Sequence, residues 1–171
     1  MIYICGLSTV PMAAAQVRPH HLISITDPTT PAPQVREIRR AQHLQLMFHD
    51  IDAPKPGHVA PQSHHLRALL AFAAGWAGRN ALLVHCHGGA SRATAAAVIL
   101  IAVISEGRET EVTRLLRTRA PHASPNRRMI GLADTLLGRG GRLIAAVEAM
   151  GPAVRLGETE TAPLVHLWLE T

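Results

Sequence analysis

One segment constrains this chain more than any other. A short, wholly apolar run, Ala81 to Val84, feeds into His85-Cys86-His87-Gly88-Gly89-Ala90-Ser91-Arg92, and apolar residues then continue to Ile104. A brief run with no polar side reads as a strand of a parallel sheet buried on both faces. Residues 92 to 105 are apolar all round, which predicts a central buried helix that Gly107 stops. A cysteine at a strand end is thus separated by five residues from an arginine at a helix start. Amides at a helix N-terminus lack intrahelical partners, and the macrodipole is positive there. Small residues at 88 to 91 let several N–H groups converge on one tetrahedral anion. Arg92 can add a bidentate contact to two of its oxygens. The same field stabilises a thiolate at Cys86 and makes it a nucleophile beneath an anion cradle.

The rest of the chain supplies a domain around that loop. Ile2 to Cys5, His21 to Thr26 and Leu44 to Phe48 read as strands. Asp27-Pro28 and Pro31-Ala32-Pro33 mark a loop, and Gln34 to Ala41 is expected to form a short helix. Pro61 suits a helix's first turn, and Leu66, Leu69, Leu70, Ala73 and Ala77 follow at helical spacing until Gly78, Arg79 and Asn80. Three apolar faces come later: Val112 with Leu115 and Leu116, Met129 through Leu137, and Leu143 with Ile144 and Val147. Leu164 to Leu169 reads as a final strand or a packed tail. Early strands and late helices predict one α/β domain over 1–171, with a central, mostly parallel sheet flanked by helices and a helix-rich C-terminal half. A chain of 171 residues with 47% hydrophobic content is long enough for a real core.

Two cysteines, Cys5 and Cys86, make no disulfide framework. Cys5 reads as a core strand residue, and a reducing cytoplasm is the expected setting. An A-x-A pattern at Ala13 to Ala15 superficially suggests a leader. No Lys or Arg precedes it, and Gly6, Ser8 and Pro11 interrupt the apolar run, so a first strand is preferred. No apolar stretch has the roughly 20 residues a membrane span requires. The net charge of +5 is carried almost wholly by arginine, Lys55 being the only lysine. The arginines are scattered and aromatics are few, which argues against nucleic acid as a partner.

With these residues in view, the His85-Cys86-x5-Arg92 segment resembles the phosphate-binding loop of the protein tyrosine phosphatase superfamily. The short chain resembles its compact dual-specificity branch, especially small bacterial tyrosine-phosphatase-like proteins. The Phe48-His49-Asp50-Ile51 segment and Ala123-Ser124-Pro125-Asn126 extend the resemblance to about Leu44 to Leu137. The resemblance implies a phosphatase-like fold and cofactor-free hydrolysis of a phosphate monoester through a phosphocysteine. The expected substrate is a phosphorylated protein or small phosphate ester. It implies Cys86 as nucleophile and Arg92 as phosphate clamp. His87, Gly88, Gly89, Ala90 and Ser91 would bind phosphate with Arg92, and His85 would orient the loop. The family's general acid is an aspartate some 30 to 40 residues before the cysteine; Asp50 is the better match, with Asp52 the alternative. The family usually has Ser or Thr directly after the arginine, to stabilise the departing thiolate. Ala93 stands there instead, with Ser91 and Thr94 on either side. This departure motivates an alternative, a phosphate-ligand-binding pseudophosphatase with little turnover.

Blander readings are expected elsewhere. His85-Cys86-His87 is not expected to bind metal, since neighbouring residues on a strand end point to opposite faces and no second ligand pair appears at zinc spacing. His20-His21 and His64-His65 are expected to be solvated. Asn126 reads as a helix N-cap, and Arg127 and Arg128 as a solvated helix face. A rhodanese-like or arsenate-reducing thiol enzyme is the remaining class that uses a cysteine-to-arginine anion loop.

Overall fold

Apolar residues on both faces of the early strands demand cover on both sides, and the chain supplies it unequally. The computed structural model describes residues 1–157 and 161–169. Five strands form one sheet: β1 (Ile2–Gly6), β2 (His21–Thr26), β3 (His43–Met47), β4 (Leu82–Cys86) and β5 (Val165–Leu167), in the order β3-β2-β4-β1-β5. β1, β2, β3 and β4 run parallel, and β5 is antiparallel to β1. β4, buried along its whole length, lies between β2 and β1. The register pairs Ile4 with Val84 and Gly6 with Cys86 on one side, and Ile23 with Val84 on the other.

The larger core lies on one face. There Ile2, Ile4, Ile23, Ile25 and Val84 meet α2 (Ser63–Trp76), α3 (Arg92–Ile104), α4 (Glu109–Arg119), α5 (Arg127–Leu136) and α6 (Arg142–Glu148). Every residue of α3 from Arg92 to Ala102 is buried, as its all-round apolar sequence requires. The smaller core, Cys5, Val10, Ala13, Leu22 and Leu83, is covered by α1 (Val10–Val17) and by Val35 and Ile38 of the β2–β3 crossover. Parallel strands place their carboxyl ends together, so the ends of β1, β2, β3 and β4 form one edge, where α/β folds bind ligands.

Several expectations change. α1 was not foreseen, although Pro11 in its first turn and the alanines after it are the usual signal for a helix. No α-helix forms over 34–41. The only apolar residues there, apart from the terminal Ala41, are Val35 and Ile38, and one turn, closed by Ile38 N–H to the Val35 carbonyl at 3.0 Å, packs both, half-buried, against the smaller core. Only Arg40–Gln42 coil further, as a 3-10 turn. α2 starts at Ser63, with Gln62 as N-cap in a reciprocal capping box with His65. His65 is therefore buried rather than solvated, its ring 4.9 Å from that of Phe48. Leu164 to Leu169 contributes a strand, since β5 covers the open edge of β1.

Candidate active site

Cys86 is the last residue of β4 and Arg92 the first of α3; both are only 2% exposed. The turn between them holds because Gly89 adopts φ +74° and packs directly on β1. A Cβ there would lie 2.8 Å from the Cys5 carbonyl carbon and the Gly6 nitrogen. The loop's carbonyls are tied outward. The His87 carbonyl accepts from Leu7 N–H at 3.0 Å, and that of Ala90 from Ser124 N–H at 2.9 Å. The Thr94 hydroxyl donates to the carbonyls of Ala90 (2.6 Å) and Ser91 (2.8 Å). A trans peptide directs its N–H opposite to its C=O, so the amides of Gly88, Ser91 and Arg92 face away from these tethers. Ser91, the N-cap of α3, makes no side-chain cap, leaving the first helical amides without one.

The Arg92 guanidinium is held on one side only. Its Nη1 donates to Asp27 Oδ1 at 2.8 Å and to the Phe48 carbonyl at 2.7 Å. Among the described residues its Nε is buried without a hydrogen-bond partner, 3.9 Å from Asp50 Oδ2. A buried guanidinium N–H left unbonded is costly, and its usual partner is an oxyanion.

Asp50 follows β3. Its Oδ1 accepts from the Ser91 hydroxyl at 2.7 Å and from Asn126 Nδ2 at 2.9 Å. Both donors occupy one oxygen, leaving Oδ2 toward Arg92. A cavity of about 420 Å³ is lined by Cys86, His87, Ser91, Arg92, Asp50 and Asp27, among others. Asp52 does not line it: its Oδ1 accepts from the amides of Arg127 (3.1 Å) and Arg128 (3.4 Å) at the start of α5. Asn126 is the N-cap of α5, accepting from Met129 N–H at 2.9 Å, and through its amide also steadies Asp50. Arg128, expected to be solvated, donates from Nε to the Pro61 carbonyl at 2.7 Å.

Beneath the loop His85 is fully buried, with Nε2 2.7 Å from Ser24 Oγ, which lies 2.8 Å from His43 Nε2. Gln45 Nε2 lies 3.4 Å from His43 Nδ1. With Gln45 donating, His43 donates through Nε2 to Ser24, and the Ser24 hydroxyl donates to His85. The His85 N–H then sits on Nδ1. Burial pushes the His85 imidazole down to about 4, against an opposing contact with the Cys86 backbone, so it is neutral near pH 7.

Cys5 sits in the smaller core beside Leu83, whereas Cys86 belongs to the larger one. The two thiols thus occupy opposite sides of the sheet. Burial, opposed by a hydrogen bond with Thr9 and reinforced by electrostatic interaction with Cys86, pushes Cys5 up to about 11. It is the core residue its sequence context indicates.

Sequence reasoning missed Asp27, Ser24 and His43. Asp27 was legible only as a turn residue before proline, though its place at the carboxyl end of β2 marks the ligand-binding edge. No signal in the sequence links Ser24 and His43 to His85, because sheet order alone aligns them.

No protein-family model matches this sequence, and no curated protein does. Among solved structures, the chain resembles DUSP15, with 18% identity over 92% of this chain and 94% of that one at a TM-score of 0.60. It resembles the Yvh1 phosphatase domain from Chaetomium thermophilum, with 18% identity over 83% and 93% at 0.61. It also resembles a human tyrosine phosphatase-like serine/threonine/tyrosine-interacting protein, with 16% identity over 81% and 92% at 0.60. The fold is that of the dual-specificity and protein tyrosine phosphatases, as the loop's resemblance implied.

Proposed function

We propose that the chain is a cysteine-dependent hydrolase of phosphate monoesters. The observation that carries this is the Arg92 Nε, buried and unbonded in the cavity that also holds Cys86. A phosphoryl group would be gripped by the Nε edge of Arg92 and the loop amides of residues 87 to 92. The Cys86 thiolate attacks phosphorus from below, forming the S–P bond as the ester P–O bond breaks. Asp50 donates its Oδ2 proton to the leaving oxygen, while Ser91 and Asn126 hold Oδ1. Water then attacks the phosphocysteine, returning a proton to Asp50 and the electron pair to Cys86. His85 supports the loop through Ser24 and His43, and Asp27 fixes the unused end of the guanidinium.

The same geometry motivates a second reading, a phosphate-binding protein with little turnover. Ala93 has no hydroxyl, Ser91 donates to Asp50, and Thr94 donates to backbone carbonyls, so each flanking hydroxyl is already engaged away from Cys86. Both readings predict that Cys86→Ser still binds vanadate or phosphate. Hydrolysis of para-nitrophenyl phosphate without added metal separates them. The enzyme reading expects sustained release abolished by Cys86→Ser. Full activity in Cys86→Ser would overturn both roles assigned to the loop.

A further inference from the structure

Beside the phosphoryl cavity lies another, of about 470 Å³, between the 53–60 loop and the start of α5. Lys55, His58, Gln62 and Arg128 are among its lining residues. His58 lines both cavities. Its position is built. The neighbouring Val59 is bonded twice to His49: the His49 amide donates to the Val59 carbonyl at 2.7 Å, and the Val59 amide donates to His49 Nδ1 at 2.9 Å. The His49 and His58 rings lie 4.7 Å apart, and His58 Nδ1 donates to the Pro56 carbonyl at 3.0 Å.

The second cavity is cationic. Among the described residues neither Lys55 nor Arg128 makes an ion pair. Arg128 spends only Nε, on Pro61, which leaves both terminal nitrogens without hydrogen bonds. Asp52, the carboxylate of this corner, does not line the cavity; its Oδ1 is taken by the two α5 amides. Residues 53–59 are exposed along their length, and His58 is the lining residue the two cavities share. An extended chain advances about 3.3–3.6 Å per residue, so residues one to three positions from a phosphorylated residue place their side chains within reach of an adjoining cavity.

We infer that the substrate is a phosphopeptide with a second anionic group close to the phosphorylated residue, held by Lys55 and Arg128 while the phosphoryl group occupies the loop over Cys86. The inference rests on the phosphatase reading and deepens it. A carboxylate and a second phosphate share the chemistry required, and separate peptides distinguish them.

The test compares phosphotyrosine peptides with neutral, glutamate, phosphoserine or lysine flanks. Affinity is measured by calorimetry on Cys86→Ser, so slow turnover does not obscure binding. One charge-assisted contact corresponds to about a tenfold or greater preference for an anionic flank over a neutral one. Glutamate against phosphoserine identifies which anion the subsite takes. Lys55 is exposed, and among the described residues its side chain makes no hydrogen bond, only its carbonyl accepting from His58 N–H at 3.1 Å, so its variants should fold; Lys55→Met should remove most of the preference, and Lys55→Glu should reverse it toward the lysine flank. Affinity for the neutral peptide should change less than about twofold. Equal affinity for neutral and anionic flanks would overturn the inference, as would equal weakening of every peptide by Lys55→Glu. Tighter binding of a small bisphosphate than of any anionic peptide would overturn the peptide assignment. Wild-type turnover of para-nitrophenyl phosphate is measured alongside: its absence counts against the enzyme reading, whereas its presence without flank preference counts against the subsite alone.

Discussion

Ala93→Ser tests how the phosphocysteine breaks down. When the S–P bond is cleaved, charge returns to the Cys86 sulfur, and a hydroxyl donating to it stabilises that charge. The wild-type loop has three candidate positions. Ala93, fully buried in the first turn of α3, has no donor. The Ser91 hydroxyl donates to Asp50 Oδ1 at 2.7 Å, and the Thr94 hydroxyl donates to carbonyls at 2.6 and 2.8 Å. Either would have to break an existing hydrogen bond to serve the sulfur. A hydrogen bond to a charged group contributes about 1.5–3 kcal/mol, so its lack slows the second step about ten- to a hundredfold. Wild type should therefore show a burst of para-nitrophenol of about one equivalent per enzyme, followed by a slow steady state. In Ala93→Ser the steady rate should rise by that factor and the burst should shrink, with the burst rate constant little changed. Stopped-flow absorbance reads all three. A wild type without a burst, or an unchanged steady rate in Ala93→Ser, would refute the reasoning. Thr94 would then be the donor to remove next, since Ser91 also holds Asp50.

Further outcomes follow from the same geometry. Asp50→Asn should slow esters with poor leaving groups far more than activated aryl esters and flatten the alkaline limb of the rate profile. Asp52→Asn should leave turnover near wild type but lower the unfolding free energy read from urea titration by about 1 kcal/mol, because it only caps α5. Gly89→Ala should destabilise by roughly 2–5 kcal/mol, combining a left-handed backbone with overpacking on β1, and should abolish vanadate binding. His85, lowered by burial from 6.5 to about 4, contributes stability that is complete above pH 6.5 and lost as pH falls through 4. That contribution is on the order of 3 kcal/mol, so urea midpoints should fall from pH 7 to pH 4, and less steeply in His85→Asn.

Much of the architecture was legible because its signals are local. The apolar run before Cys86 and the all-round apolar helix after Arg92 predict the buried strand and buried helix found there. Gly89 was legible as the loop's glycine, although the reason it must be glycine, contact with the β1 backbone, was not. The 34–41 segment misled because its composition suited a helix while its apolar residues needed only one turn of cover. His65 misled because a histidine pair looks polar, and capping with burial depends on which way α2 faces.

By itself, then, the sequence determined the strand–loop–helix unit and the cysteine and arginine at its two ends, because residue spacing along a chain sets what one turn can reach; an upstream aspartate entered only as what the loop's resemblance implies. It left the choice between Asp50 and Asp52 open, since two residues of separation differ only in direction. The packing of α5 against the loop decided their surroundings, turning Asp52 to helix amides and Asp50 to Ser91, Asn126 and the cavity. Tertiary structure alone joined Asp27 to Arg92 across 65 positions and Ser24 to His85 across 61. Such contacts follow from the β3-β2-β4-β1 strand order, and that order is set by how two apolar faces are covered, which no local pattern encodes.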